Sequence, residues 1–150
     1  MYFDEKVNIG EDALFWFENN KNCKYTYNEK VCYYYYENSN SAMHKKVVSE
    51  KELTCFMAFE KIINNSNDIT KKIYMTQYIN NYFKYLVCSK DIQNIKKKNK
   101  EKILTNVKLY YQELRKTNYL SLIEKIKFFI KIRLTFIYKF FCMINISKLL

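Results

Sequence analysis

The sequence predicts an α+β fold that is mainly α, and three observations support this fold class. An amphipathic aromatic segment follows the only glycine of the 150-residue chain, which has no proline, and predicts a short helix. Two short segments rich in Tyr, Val and Thr then predict a pair of short β-strands. From about residue 43 onward, apolar residues recur at helical spacing without strand-like alternation, which predicts a bundle of about four helices.

The first predicted helix runs from about Asp12 to Asn20 and starts just after Gly10. Glu11 and Asp12 fall at its first turn, where carboxylates interact favourably with the exposed amides and the positive end of the helix dipole. Because glycine is so rare in this chain, Gly10 is expected to mark a backbone position at which a side chain would obstruct something. Trp16 gives this helix apolar surface to bury.

The two predicted strands cover residues 24–27 and 31–36, with Asn28 and Glu29 as the turn between them. They form either a hairpin or two separate short strands. Alternate residues of a strand point to opposite faces, so two of the four tyrosines at 33–36 are expected in the core rather than against a ligand. A polar, turn-rich segment follows them.

The remainder is predicted to form four helices that pack on one another. They cover about residues 43–64, 69–89, 91–116 and 119–146. The clearest break is the polar cluster Asn64–Asp68, whose residue types favour helix N-caps. The apolar positions that define the inward faces of the first two helices are Leu53, Phe56, Phe59, Ile63, Ile73, Ile79, Phe83 and Leu86.

The last predicted helix, 119–146, differs from the others because basic residues interrupt its apolar ones. These basic residues are Lys125, Lys127, Lys131, Arg133 and Lys139. A membrane span needs about 20 mostly uncharged residues, which this segment does not offer. We therefore expect a helix that lies in the bilayer interface with its basic edge toward acidic headgroups. An ordinary core helix is the alternative.

The composition favours an anionic partner, since 26 Lys and Arg against 15 Asp and Glu give a formal charge of +11. Phosphates, a nucleotide or acidic lipid would all suit this charge. The alternative is that A- and T-rich codons supply the excess Lys, Asn, Ile, Tyr and Phe. The run Lys96–Lys98 is expected to be a solvated helix face, and we expect no nucleic-acid partner.

The five cysteines are widely scattered and accompany a single histidine, so neither a zinc site nor a disulfide framework is indicated. The residues after Met1 lack the basic start and the apolar stretch of an export signal. Both features favour a reducing cytoplasm. We expect a cytoplasmic protein with peripheral contact at the inner face of the cell membrane through residues 119–146.

Residues 2–12 form a short aromatic and acidic lead-in that ends in Gly-Glu-Asp, followed by the aromatic helix. A Tyr-rich strand at 33–36 then reaches a polar turn that ends in Ser41. This order and spacing resemble the downstream part of bacterial family 2 glycosyltransferases, which have the GT-A fold and build cell-surface polysaccharides. The resemblance covers about residues 2–44.

The resemblance divides the chain into two parts. Residues 1–43 are expected to be a remnant of the catalytic domain, namely the acceptor side of a GT-A α/β domain. Residues 44–150 resemble the variable C-terminal helical extension that such enzymes often carry.

The resemblance implies an inverting transfer of a sugar from a nucleotide-sugar donor to a hydroxyl of a glycan or lipid-linked acceptor. In the family, the Asp of Gly-Glu-Asp is the general base that removes the proton of that hydroxyl, a role that carries over to Asp12. Glu11 and Trp16 would bind the acceptor, and Gly10 would let the substrate approach the backbone. The alternative is that Glu11 and Asp12 only favour the helix start.

The resemblance also implies a donor-side role for His44, which follows the Tyr-rich strand. In this region related enzymes often close a loop over the donor diphosphate, so His44, with Lys45 and Lys46, would contact phosphate. The alternative for this lone histidine is a solvated surface position.

The chain departs from the family pattern in having no Asp-x-Asp, the motif that holds a divalent metal on the leaving diphosphate. Its aspartates are Asp4, Asp12, Asp68 and Asp91. We therefore expect the C-terminal fragment of a transferase, from a truncated or split reading frame, that is inactive by itself and holds no cofactor. Mg²⁺ or Mn²⁺ is expected in the full-length enzyme. The alternative function is a non-enzymatic basic helical module that binds a membrane surface.

Overall fold

The computed structural model describes residues 3–20, 47–89, 91–92, 95–117 and 120–135. Five α-helices lie in these ranges: α1 Glu11–Asn19, α2 Thr54–Asn65, α3 Asp68–Tyr82, α4 Lys97–Lys116 and α5 Leu122–Arg133. A π-helical turn, Phe83–Val87, continues α3. Two short strands, β1 Val47–Val48 and β2 Asp91–Ile92, pair in parallel with Val47 opposite Asp91. The described part of the chain is therefore mainly helical.

The predicted α+β fold class is wrong for the part of the chain that the structure describes. The strands predicted at 24–27 and 31–36 lie outside the described residues. The pairing of β1 with β2 involves two residues from each strand, and it occurs where the sequence pattern predicted helix. A contact of this length joins two loops but provides no sheet face on which a core could pack.

The helix predicted from residue 43 begins instead at Thr54, and local hydrogen bonds explain the difference. Residues 43–46 lie outside the described ranges, and Val47 and Val48 form β1. The Ser49 amide donates to Glu52 Oε2 at 2.7 Å. Such side-chain acceptors compete with helical backbone hydrogen bonds and favour helix starts over helix interiors.

The helix predicted from residue 91 begins instead at Lys97, because a distant carboxylate caps it. Glu50 accepts hydrogen bonds from the Lys96 amide at 2.7 Å and from the Asn99 side chain at 2.7 Å. A negative charge at this end of a helix also complements the helix dipole. The sequence pattern near residue 91 carries no sign of this partner.

The predicted break between α2 and α3 is confirmed. Asn67 caps α3 by accepting a hydrogen bond from the Thr70 amide at 3.0 Å. The last helix, α5, starts with a capping box in which the Ser121 hydroxyl and the Glu124 carboxylate each accept from the other residue's backbone amide. The predicted continuation from residue 136 to 146 lies outside the described residues.

The main core forms around α3, which packs against both α2 and α4. Predicted core positions that are buried are Leu53, Phe56, Phe59, Ile63, Ile79 and Phe83. Two predicted core positions differ: Ile73 is 48% exposed, and Leu86 is only partly buried. Both differ because the neighbouring helices decide which side of this helical segment is buried. The sequence spacing alone does not show where those neighbours lie.

A polar network around Glu60 ties the three central helices together. The Glu60 carboxylate on α2 accepts from the Tyr78 hydroxyl on α3 at 3.0 Å. It also accepts from Asn106 at 2.9 Å and from Lys102 at 2.6 Å, both on α4. Burial, reinforced by the Glu60 charge, raises the pKa of Tyr78 far above its usual value. Tyr78 therefore stays neutral and can donate to Glu60 across the ordinary pH range.

One cysteine forms a disulfide, although the scattered cysteine spacing gave no indication of disulfide bonds. Cys88, just after the π-helical turn, is disulfide-bonded. Cys55 on α2 is a buried free thiol, and burial raises its pKa to about 12. A thiol with so high a pKa is a core residue and a poor nucleophile.

We predict that Tyr78→Phe lowers the free energy of unfolding by about 1 kcal/mol, because it removes a buried hydrogen bond without leaving a cavity. The matched control is Tyr82→Phe, since the half-buried Tyr82 makes no side-chain hydrogen bond within the described residues. This control should change stability by less than about 0.5 kcal/mol. Urea denaturation followed by circular dichroism measures both, and equal losses would contradict a stabilising role for the Glu60 network.

Candidate functional site

The predicted acceptor-side residues lie on and just before α1, which packs against α2. A small apolar cluster joins the two helices and consists of Val7, Leu14, Ala58 and Ile62. The helix begins at Glu11, with Glu11 and Asp12 in its first turn, so this part of the sequence prediction is confirmed. The position of α1 is therefore fixed by a second, minor core beside the main one.

Gly10 is the N-cap residue of α1 and has a left-handed backbone with φ of 84°. A Cβ added there would lie 3.5 Å from the Ala58 Cβ and 3.8 Å from the Cys55 Cα, which are ordinary contact distances. The backbone conformation, more than the space, therefore requires glycine. Gly10 thus has a structural role against α2, and its predicted role beside the acceptor stays a prediction.

The segment before α1 is anchored to α2 by side-chain hydrogen bonds. Thr54 Oγ1 accepts from the amides of Asn8 at 2.9 Å and Ile9 at 3.1 Å. Asp4 forms an ion pair with Lys61, and the hydrogen bond from Lys61 is the main cause that lowers the pKa of Asp4. These contacts fix where the chain enters α1.

A cleft of about 890 Å³ opens beside α1. Its lining comes from α1 and the residue after it, from the α2–α3 junction and from the start of α3: Ala13, Trp16, Phe17, Asn20, Asn65, Ser66, Asn67, Thr70 and Tyr74. This volume falls within the range of about 300–1,000 Å³ that is typical of small-molecule sites. We take this cleft as the candidate site, because the predicted site residue Trp16 lines it.

Trp16 gives the cleft an aromatic surface. Its side chain is 57% exposed even though tryptophan is usually well buried. Phe15 supports it in an edge-to-face contact at 6.1 Å, and Phe15 in turn stacks on Phe3 at 4.6 Å. A row of three aromatic rings therefore holds the indole at the mouth of the cleft.

The polar groups of the cleft include both donors and acceptors. The Asn65 amide nitrogen donates to the Lys61 carbonyl at 2.8 Å, and the Asn67 carbonyl oxygen caps α3. The Asn65 carbonyl oxygen and the Asn67 amide nitrogen, together with the Thr70 and Tyr74 hydroxyls, make no hydrogen bond within the described residues. The cleft can therefore both donate to and accept from a ligand with several hydroxyls.

Asp12 lies in the first turn of α1 and is not among the residues that line the cleft. Its exposed carboxylate accepts a hydrogen bond from the Ala13 amide at 2.7 Å. Asp12 precedes Trp16 by one helical turn, so the two residues share a face of α1. Burial and then the Asp12 charge raise the pKa of Tyr74, which lines the cleft. Asp12 is thus related to Trp16 by helical spacing and to Tyr74 by its charge.

The remaining predicted site residues are Glu11, His44 and Lys45. Glu11 is half-buried and does not line the cleft. His44 and Lys45 lie outside the described residues. Four cleft residues, Asn65, Asn67, Thr70 and Tyr74, were not predicted as functional. The polar cluster that predicted the α2–α3 break was the available signal, because a helix junction exposes side chains that need not pack.

The described residues do not fit the divalent metal that the resemblance implies for a complete enzyme. Among them, no three His, Cys, Asp or Glu side chains lie close enough to hold a metal ion. Within the same ranges, no helix combines the length and apolarity needed to cross a membrane.

Comparison with protein-family models, with curated proteins and with solved structures finds no match to this chain. The resemblance to family 2 glycosyltransferases therefore rests on the sequence features alone.

We predict that Gly10→Ala lowers the free energy of unfolding by about 1–2 kcal/mol, the usual cost of a left-handed conformation at a residue with a side chain. The added Cβ would lie at ordinary contact distances from Ala58 and Cys55. Removing the Ala58 methyl group should therefore not restore stability. A double-mutant cycle of Gly10→Ala with Ala58→Gly, measured by urea denaturation, should give a coupling energy near zero. Clear rescue by Ala58→Gly would instead show that steric conflict dominates.

Proposed function

We propose that the cleft beside α1 binds a carbohydrate acceptor, and that the chain provides the acceptor side of a nucleotide-sugar glycosyltransferase. The observation that carries this proposal is the exposed Trp16 at the mouth of a cleft lined by amide and hydroxyl side chains. The Gly-Glu-Asp junction and the Tyr-rich segment, which resemble family 2 enzymes, support the transferase part of the proposal.

The lining suits a sugar for two physical reasons. A pyranose ring has an apolar C–H face that packs on an exposed aromatic ring such as Trp16. Its hydroxyls both donate and accept, and the polar groups of Asn65, Asn67, Thr70 and Tyr74 can satisfy both needs.

In the proposed reaction Asp12 acts as the general base. The acceptor hydroxyl oxygen attacks the anomeric carbon of the donor, its proton passes to the Asp12 carboxylate, and the bond to the nucleoside diphosphate breaks. Asp12 suits this role because its carboxylate is exposed and lies one turn from Trp16. A nucleotide-sugar-binding domain would have to supply the donor and stabilise the leaving group.

Carbohydrate binding can be measured directly because Trp16 is the only tryptophan of the chain. We expect methyl pyranosides and short oligosaccharides, tested as a panel, to change Trp16 fluorescence in a saturable way. Thr70→Val removes one neutral hydrogen bond of about 1 kcal/mol and should weaken binding about fivefold. Met57→Ala, at an exposed residue of α2 outside the cleft, is the control and should bind normally.

Trp16→Ala should weaken binding about tenfold, the loss expected when an aromatic contact of about 1.5 kcal/mol is removed. Because this variant has no tryptophan, binding is followed by amide chemical shifts. If no saccharide perturbs Trp16 in the wild-type chain, the cleft is not a carbohydrate site and the proposal fails.

The role of Asp12 is tested with the chain joined to a nucleotide-sugar-binding domain that carries Asp-x-Asp. Asp12→Asn should slow transfer by about 10²–10⁴-fold, the range for loss of a general base, and leave saccharide affinity unchanged. Glu18→Gln, at an exposed carboxylate on the same helix, is the matched control and should transfer at the wild-type rate. Equal rates for both variants would exclude Asp12 as the base.

A further inference from the structure

The helix α5 has an inner face that is well packed. Phe128 is 4% exposed and contacts Tyr111 of α4 edge-to-face at 6.5 Å. The Lys131 ammonium group donates to the Asn80 side chain of α3 at 2.9 Å. These contacts fix which side of α5 faces the bundle and which side faces away.

The outer face of α5 is apolar. Leu122, Ile123, Ile126 and Phe129 are 74%, 67%, 51% and 48% exposed. At 3.6 residues per turn these four side chains fall within an arc of roughly 120°. Soluble surfaces rarely expose neighbouring large apolar side chains in this way, so the outer face is suited to contact with another apolar surface.

Cations border this apolar outer face. The same helical geometry places Lys125 and Lys127 on its two opposite edges, each roughly 100° from its centre. Arg133 is exposed at the C-terminal end. The one acid of α5, Glu124, is committed to the capping box, where it accepts from the Ser121 amide at 2.8 Å. The rim of the outer face is therefore positive.

An apolar centre with a cationic rim matches the surface of a bilayer that contains anionic lipid. Apolar side chains enter the acyl boundary while Lys and Arg reach the phosphates of the headgroups. A second copy of the chain would bring two positive rims together, which opposes pairing. Nucleic acid would leave the apolar centre facing phosphates, with no gain from its burial.

We propose that the outer face of α5, with Leu122, Ile123, Ile126 and Phe129 at its centre and Lys125 and Lys127 at its edges, docks the protein on an anionic bilayer surface. This inference is independent of the proposed carbohydrate cleft, which is formed by other residues. Its failure would leave the saccharide titrations unaffected, and their failure would not affect it.

The test is sedimentation of the full chain with phosphatidylcholine vesicles, with and without phosphatidylglycerol. Binding should require the anionic lipid and fall as salt is raised. The double variant Ile126→Ser with Phe129→Ser should bind at least tenfold more weakly, because both apolar side chains lose their burial in lipid. Leu109→Ser, at an exposed apolar residue of α4, is the matched control and should bind normally.

The charge requirement is tested by Lys125→Glu together with Lys127→Glu. Each edge lysine contributes about fivefold to binding, so this double variant should bind at least 25-fold more weakly. Lys98→Glu with Lys100→Glu on α4 makes the same change in net charge at exposed residues away from the outer face. This control should lose much less affinity, whereas an equal loss would show that only the overall charge of +11 matters and would overturn the proposal.

Three further results would also overturn the proposal. Equal binding to neutral and anionic vesicles would show that the cationic rim does not contribute to binding. A dimer in sedimentation velocity that Phe129→Ser abolishes, without vesicle binding, would assign the outer face to self-association. A large fall in the melting temperature of the Ile126→Ser and Phe129→Ser variant would show that another part of this chain covers the face.

Discussion

The close packing of α1 on α2 is the constraint on which the candidate site depends. Gly10 turns the chain in a left-handed conformation against Ala58 and Cys55, and α1 then runs along α2 with Leu14 buried in the minor core. Without this turn Trp16 would not face the α2–α3 junction. The lone glycine of the chain therefore has a structural role. It helps to position Trp16, the aromatic residue of the cleft, which follows six residues later.

The other wall of the cleft depends on the Glu60 network. One carboxylate accepts from Tyr78, Asn106 and Lys102 and so holds α2, α3 and α4 at fixed distances. A carboxylate removed from water destabilises the fold when some of its hydrogen-bond donors are missing. When all its donors are in place, it favours a single arrangement of the residues that donate to it. Because Thr70 and Tyr74 belong to α3, the network that fixes α3 also fixes the polar side of the cleft.

The sequence predicted the structural features that depend on residues close together in the chain. The predictions were wrong where residues distant in the chain determine the structure. The acidic first turn of α1 and the Asn67 cap follow from local side-chain chemistry, and both are confirmed. The late start of α4 depends on Glu50, 46 residues before Lys96, which no local pattern reveals. Trp16 was predicted as a site residue, whereas Thr70 and Tyr74 were not, because the cleft is formed by three segments that meet only in the fold.

The two surfaces proposed to bind ligands share α3 as their common support. Near its start α3 contributes Thr70 and Tyr74 to the cleft, and two turns later Asn80 holds Lys131 of α5. Lys131 is thereby turned inward, where burial lowers its pKa, and the outer face of α5 is left with apolar side chains at its centre. One helix therefore carries the polar side chains of the cleft near its start and fixes, near its end, which side of α5 faces outward.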